Sequence, residues 1–186
     1  MAIIGLSKLH YARMTTADTA TTAPVYETPK RLIGVNSVSI SPENDEAKLY
    51  GDNMALDTKT NTRERTMTLE VARLPLEDQA ALLGYTYDST TKKLSVLGDA
   101  AAPNVAIMYE EDTDEGKVWY KCFYKGKFAP SQEDSNTRGE SLEYGLHSIE
   151  GKFVARLDNK KVYEVKEADA TDTTTATSWY SSVGGA

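Results

Sequence analysis

Residues 117–128 read KVWYKCFYKGKF and interleave lysines with aromatic side chains. Proteins that hold single-stranded nucleic acid use the same residue types, because lysines contact phosphates and aromatic rings stack on bases. The chain as a whole is nevertheless acidic, with 28 Asp and Glu residues against 21 Lys and Arg residues and a net charge of −7. The chemistry of this stretch therefore depends on which of its side chains share a face.

Strand alternation divides the stretch into two faces. One face is apolar and predicts a buried core; it carries Val118, Tyr120, Cys122, Tyr124 and Phe128. The other face carries aromatic residues among lysines, and a run of carboxylates across the predicted turn, in residues 110–115, would neutralise it. Aromatic residues beside paired charges favour a protein–protein surface over a nucleic-acid surface. The predicted inter-subunit contacts on this face are Trp119, Lys121 and Phe123.

Three other places in the sequence could do chemistry, and none predicts a catalytic centre. His10 and His147 lie far apart, each inside a strand pattern, which favours structural histidines. Cys122 is the single cysteine, and its mid-strand position predicts a buried, unreactive thiol. The acidic turn EEDTDEG suggests calcium, but aligning its glycine with the sixth position of an EF-hand loop places Cys122 where a glutamate is required. We therefore predict no enzymatic activity, no metal and no cofactor.

The elements that would position these segments are mainly β-strands. A length of 186 residues fits one domain, and no apolar run is long enough to span a membrane. Alternating stretches such as RTMTLEV, at 65–71, predict eight or so short strands. The segment LPLEDQAALLG predicts one short helix at about 75–83, with a proline in its first turn and Gly84 as its terminator. Together these elements predict a β-sandwich or barrel with a docked helix.

Three polar segments show neither the strand period nor the helix period. Residues 14–30 predict an arm or loop, and residues from about 43 to 64 predict a long exposed loop. Residues 167–186 are nearly low-complexity and predict a C-terminal arm after a domain of residues 1–166. Trp179 and Tyr180 stand out in that Thr- and Ser-rich tail, so they are predicted anchors on a neighbouring subunit.

Several segments, by their order and spacing, resemble the major tail (tail tube) proteins of bacteriophages with long non-contractile tails, especially those that infect Gram-positive bacteria. The resemblance covers most of residues 1–165. It rests on IIGLSKLHYA, VSISPENDEAKLYGDN, LPLEDQAALLGY, APNVAIMYEED, YKCFYKGKFAPSQED and NTRGESLEYGLHSIEGKF.

The resemblance implies a structural virion protein that self-assembles into hexameric rings, which stack into the hollow tube that conducts DNA from the capsid to the cell. It also implies a β-sandwich or half-barrel with a flanking helix, and assembly in the host cytoplasm. The implied partners are further copies of the chain and the tape measure, tail terminator and distal tail proteins. DNA would pass through the tube without specific binding.

Two sets of residues become candidates for assembly under this resemblance. The long loop would project along the tube axis and contact the next ring; its candidates are Glu43, Asp45, Glu46, Asp57, Lys59 and Arg63. The bore should not be basic, because lysines on its wall would bind DNA phosphates and slow transit. The bore candidates are Ser37, Ser39, Thr66, Thr68 and Glu70, and the basic stretch at 117–128 should lie elsewhere.

Two other classes of function remain open at the level of sequence. One is the tube protein of a contractile machine, such as a type VI secretion system or a tailocin, which shares the fold. The other is a monomeric β-sandwich binding module, for instance for carbohydrate.

Overall fold

A computed structural model describes residues 2–51, 54–130 and 146–185. Within these ranges the strands are β1 Ile3–Thr16, β2 Val25–Tyr26, β3 Lys30–Arg31, β4 Val35–Gly51, β5 Met54–Val71, β6 Thr86–Asp88, β7 Lys93–Ser95, β8 Val105–Thr113, β9 Lys117–Ala129, β10 His147–Val154 and β11 Tyr163–Asp169. The helices are α1 Leu76–Leu83 and α2 Thr173–Trp179, with a single 3₁₀ turn at Val183–Gly185. The fold is therefore mainly β, as the sequence predicts, with a second helix that the sequence does not predict.

One large antiparallel sheet organises the molecule. Its main path runs β2–β1–β8–β9–β10–β5–β4, with β3 beside β1 and β11 beside β9, while β6 and β7 form a separate pair. None of the helices in the described ranges is long and apolar enough to cross a membrane.

The sheet forks at β9. The first half of β9 pairs with β11, from Lys117 to Phe123, and its last residues pair with β10. On its other side β9 pairs with β8, where Ile107 lies opposite Phe123 and Val105 lies opposite Gly126. Two steps along β8 thus correspond to three along β9, which therefore contains one extra residue between Phe123 and Gly126. Such a bulge shifts the alternation by one residue. Phe128 consequently faces away from Tyr124, and the prediction that both share a face is wrong.

Two apolar cores lie on opposite faces of β8 and β9. The larger core lies between β1, β5, β8, β9, β10 and α1, and its largest members include Tyr109, Phe123, Phe128 and Phe153. The ring of Phe153 leaves no room for a side chain on Gly126, where a Cβ atom would come within 2.5 Å of it. Phe123 is 2% exposed, so its prediction as an inter-subunit contact is wrong: it faces away from Cys122, as alternation predicts, but the larger core covers that face of β9.

The smaller core corrects the prediction of a C-terminal arm. Trp179 of α2 is buried with Met108, Tyr120 and Cys122 on the opposite face of the sheet. The Asp172 carboxylate caps α2 by accepting hydrogen bonds from the backbone N–H groups of Thr174 and Thr175. Residues 167–169 continue β11 along β9, so the expected boundary at residue 166 falls inside a strand. The tail folds back because its two aromatic residues have an apolar surface on their own chain.

The segment at 14–30 is also more ordered than an arm. β1 continues to Thr16, and β2 and β3 return along it. Asp18, just after β1, is buried, and its carboxylate accepts a hydrogen bond from the Lys125 ammonium at 2.6 Å and another from the Leu157 backbone N–H. The segment is thus held by a buried ion pair. Its sequence resembles a loop because it lacks a regular apolar pattern.

Residues 43–64 do not form the predicted loop. β4 and β5 pair along their whole length, from Val35 opposite Val71 to Gly51 opposite Met54. The segment lacks an apolar period because β10 pairs with β5 only over Glu64–Val71, and beyond that point the described side chains of both strands are exposed.

Candidate assembly surface

The predicted bore residues lie together on one face of the β10–β5–β4 sheet. In the register, Ser37 pairs with Glu70, and Ser39 pairs with Thr68. Thr66 follows on the same face, two residues along β5 from Thr68. The residues between them, such as Met67 and Leu69, point into the larger core. We call this outward surface the polar face; it comprises Ser37, Ser39, Ser41, Glu43, Glu64, Thr66, Thr68, Glu70, Lys127, Ser148, Glu150 and Lys152.

The charge of the polar face is weakly acidic. It carries four carboxylates and two lysines, a net charge of −2 in each subunit. Short hydroxyl-bearing side chains fill the space between these charges, and the Ser37 hydroxyl donates to Glu70 Oε2 at 2.7 Å. A hydrogen bond from Thr66 Oγ1 at 2.8 Å and the ammonium of Lys152 lower the pKa of the Glu43 carboxyl, so Glu43 is ionised at neutral pH.

A two-stranded extension leaves the sheet beyond the polar face. We call residues 44–62 the ribbon; its paired strands run from Asn44 opposite Thr62 to Gly51 opposite Met54. At about 3.3 Å per residue the ribbon is about 25 Å long. Its residues with described side chains are exposed, among them Asp45, Glu46, Asp57 and Lys59. A two-stranded hairpin is by itself only marginally stable in water, so contact with a surface would stabilise the ribbon beyond its own pairing.

The ribbon leaves the sheet at a bulge. Glu43 lies opposite Glu64, but the next residue, Asn44, lies opposite Thr62, which leaves the Arg63 backbone as an extra residue on β5. The last residue of β10, Val154, also lies opposite Glu64, so the third strand ends where the bulge begins. Bulges bend strands and increase their twist, and this one fixes the direction in which the ribbon departs. The Arg63 side chain lies outside the described part of the chain.

The two other predicted contacts on β9 are partly covered by their own chain. Trp119 Nε1 donates to Glu167 Oε2 at 3.0 Å, and Lys121 Nζ lies 2.7 Å from Glu111 Oε2. Glu111 of β8 thus pairs with the basic strand, as the sequence predicts, and Glu167 of β11, which the sequence did not predict as a partner, pairs with Lys117. Lys125 is paired with the buried Asp18, which also removes it from any nucleic-acid surface.

Residues 5–143, about three quarters of the chain, match the model of the phage tail tube protein family. The chain is a phage tail tube protein. A search of curated proteins returns no match. Membership makes the protein a structural component of the virion tail, without enzymatic activity, that assembles with copies of itself into a tube.

Two of the three remaining chemical candidates of the tail tube protein, His10 and Cys122, pack against other side chains of the same chain. His10 stacks on Tyr180, with 4.1 Å between ring centroids, and burial lowers the pKa of its imidazole. His147 is exposed at the start of β10. Cys122 is fully buried, and burial raises the pKa of its thiol. In the described ranges no three His, Cys, Asp or Glu side chains lie together in a way that could hold a metal ion.

Sequence patterns did not reveal two lysines on the polar face. Lys127 and Lys152 lie directly opposite each other on β9 and β10. Their neighbours Phe128 and Phe153 face the larger core, so alternation around these two aromatic residues could have assigned the lysines to the outer face. The prediction that the whole basic stretch lies away from the bore candidates is therefore wrong for Lys127.

Proposed function

We propose that this tail tube protein forms hexameric rings that stack into the tube of a long non-contractile tail, of a phage that infects Gram-positive bacteria. DNA moves through the bore without specific binding, and the rings assemble in the host cytoplasm with tape measure, tail terminator and distal tail proteins. The tail type, host and partners are supported by the resemblance of the segments quoted above. Family membership favours this proposal over a monomeric binding module.

The ribbon is the structural feature that supports the proposal of ring stacking. It extends past the last strand that could support it, and its described side chains are polar and exposed. The described side chains of the ribbon are exposed on their own chain, so a neighbouring subunit is the partner surface that we propose for them. We propose that the ribbon contacts the next ring together with the two residues that flank it; the candidates are Asp45, Glu46, Asp57 and Lys59 on the ribbon, and Glu43 and Arg63 at its base.

The polar face is the proposed wall of the bore. Duplex DNA carries a dense line of negative charge, and a wall of hydroxyl groups with a small net negative charge offers few attractive contacts along it. Salt screens charges over about 8–10 Å, so a charge on the wall still acts on DNA in a bore of similar radius. Lys127 and Lys152 lie at the edge of this face nearest β9, where nearby carboxylates hold Lys152.

Shortening the ribbon tests the stacking proposal. Replacing residues 45–61 with an Asn-Gly turn joins Asn44 to Thr62 while keeping every pair between β5 and β10. We expect a folded protein with wild-type thermal stability that yields subunits or single rings and no tubes. Electron microscopy and sedimentation provide the measurement, and circular dichroism provides the folding control. Full-length tubes from the shortened protein would overturn the proposal.

Cysteine labelling tests the bore assignment. In Thr68→Cys the new thiol lies on the polar face, while the native Cys122 stays buried and unreactive. We expect unassembled protein to react with both a small maleimide and a polymer-linked maleimide wider than the bore. Assembled tubes should react only with the small reagent, since the large one cannot enter. If the large reagent labels assembled tubes at the rate seen for free subunits, the polar face does not line the bore.

A further inference from the structure

We propose that Lys152 is a positioning residue that sets the direction of the ribbon, by holding together two carboxylates at the ribbon's base. This inference rests on the proposed role of the ribbon in stacking. It concerns the ionic clamp, by which we mean Glu43, Glu64 and Lys152.

The ionic clamp lies at the point where three strands become two. Lys152 Nζ lies 3.0 Å from Glu43 Oε1 and 3.9 Å from Glu64 Oε2. Glu43 is on β4, Glu64 on β5 and Lys152 on β10, so one ammonium connects all three strands. The same Glu43 oxygen accepts the hydrogen bond from Thr66 Oγ1, which fixes its side chain toward the lysine.

The two carboxylates make the lysine necessary. Glu43 and Glu64 lie directly opposite each other in the strand register and share a face. Like charges in that position repel and weaken strand pairing. Here the repulsion acts on the last pair before the bulge at Arg63, where pairing is already interrupted. Without the lysine the strands at the base would separate most readily at this point, and the angle of the ribbon would vary.

The ionic clamp is suited to positioning rather than to stabilising the fold. All three side chains are substantially exposed, and the exposed fraction of the Lys152 side chain is 56%. Exposed ion pairs contribute little to the free energy of folding. A small angular change at the base of a 25 Å arm, in contrast, displaces its far end by several ångströms. A tube repeats that displacement in every subunit.

Lys127 provides a matched control. It lies directly opposite Lys152 on the same face, is exposed, and has no ion pair within the described residues. Lys152→Met and Lys127→Met therefore remove the same charge from neighbouring positions, and only Lys152→Met removes the ion pairs with Glu43 and Glu64. The double variant Glu64→Lys with Lys152→Glu again places one positive charge between two carboxylates, and it leaves Glu43, a proposed contact with the next ring, unchanged.

The test compares full-length variants by thermal melting and by electron microscopy of tubes formed at low and high salt. We expect Lys152→Met to melt like wild type, to need a several-fold higher protein concentration for tubes, and to form short or curved tubes. Lys127→Met should form straight tubes, and the double variant should recover them. High salt should curve wild-type tubes, since it screens the attraction between Lys152 and its two carboxylates. It should straighten Lys152→Met tubes, since there it screens only the repulsion between Glu43 and Glu64.

Three results would overturn the clamp: straight wild-type-like tubes from Lys152→Met, an equal defect in Lys127→Met, or a large loss of thermal stability in Lys152→Met. The ribbon-shortened protein separates this failure from that of the proposed function. If shortening blocks tubes while Lys152→Met leaves them straight, only the clamp is wrong. If the shortened protein still forms tubes, ring stacking by the ribbon is wrong, and the clamp with it.

Discussion

Substituting Trp179 with alanine should lower the free energy of unfolding by about 3–5 kcal/mol, the usual cost of removing a buried tryptophan. Trp179 is 3% exposed and packs against Tyr120, with 5.8 Å between ring centroids. It joins α2 to the face of β8 and β9 that the larger core does not cover. Urea denaturation followed by circular dichroism measures the change.

Trp179→Phe is the control for this substitution. The indole N–H of Trp179 has no hydrogen-bond partner within the described structure, so phenylalanine removes an unpaired donor while keeping most of the ring contacts. Its loss of stability should be clearly smaller than that of Trp179→Ala. An alanine variant that is as stable as wild type but fails to assemble would restore the prediction made from sequence, that Trp179 anchors on a neighbouring subunit.

The C-terminal segment and the ribbon show why hydrophobic periodicity fails to predict some helices and strands. A period of two or of 3.6 residues records burial on one side of an element. The described side chains of the ribbon are exposed on both of its faces, so its strands have no such period, and residues 43–64 resemble a loop. In the tail, α2 is a Thr-rich helix whose buried residues are Thr175 and Trp179, too few to form an apolar stripe.

The polar face was largely predictable for the same physical reason. Met67, Leu69 and Val71 are fully buried, and their alternation with Thr66, Thr68 and Glu70 determines which side chains share the outer surface. That Lys127 and Lys152 lie next to each other on the polar face depends on the pairing of β9 with β10, two strands that are separated in the sequence. The bulge in β9 reverses the alternation after Phe123, and this reversal is why Lys127 and Phe128 were placed on the wrong faces. Phe123 lies on the face that alternation predicts, but the sequence does not show that a core covers both faces of β9.

Substituting Asp18 with alanine should be about as damaging as Trp179→Ala, with a loss of about 3–5 kcal/mol, because it leaves a buried lysine without its counter-charge. The Asp18 side chain is fully enclosed, and the side chain of Lys125 is 15% exposed. Asp18 Oδ2 also accepts a hydrogen bond from the Leu157 backbone N–H, so one carboxylate connects residues 14–30 to β9 and to the chain after β10. Thermal and urea unfolding measure the loss.

The same carboxylate should make stability depend on pH. Burial alone would raise the pKa of Asp18, but the hydrogen bonds from Lys125 and from the Leu157 N–H outweigh it, and the pKa lies below its usual value. A carboxyl whose pKa is lower in the folded state contributes stability above its unfolded pKa of about 3.9, and loses it as pH falls through the folded pKa. Wild type should therefore lose this contribution on acidification below about pH 4, whereas Asp18→Asn, which has no charge to lose, should show a shallower decline.

Glu27 offers the comparison that separates a buried ion pair from an exposed one. It lies in the same segment and binds Arg13 through two hydrogen bonds, of 2.6 and 2.9 Å, but the side chains of both partners are more than 40% exposed. Glu27→Gln should therefore change the free energy of unfolding by less than about 1 kcal/mol. Equal effects of Asp18→Ala and Glu27→Gln would show that burial of Asp18 does not determine its contribution. The segment at 14–30 would then be held by its strand pairing rather than by the buried charge.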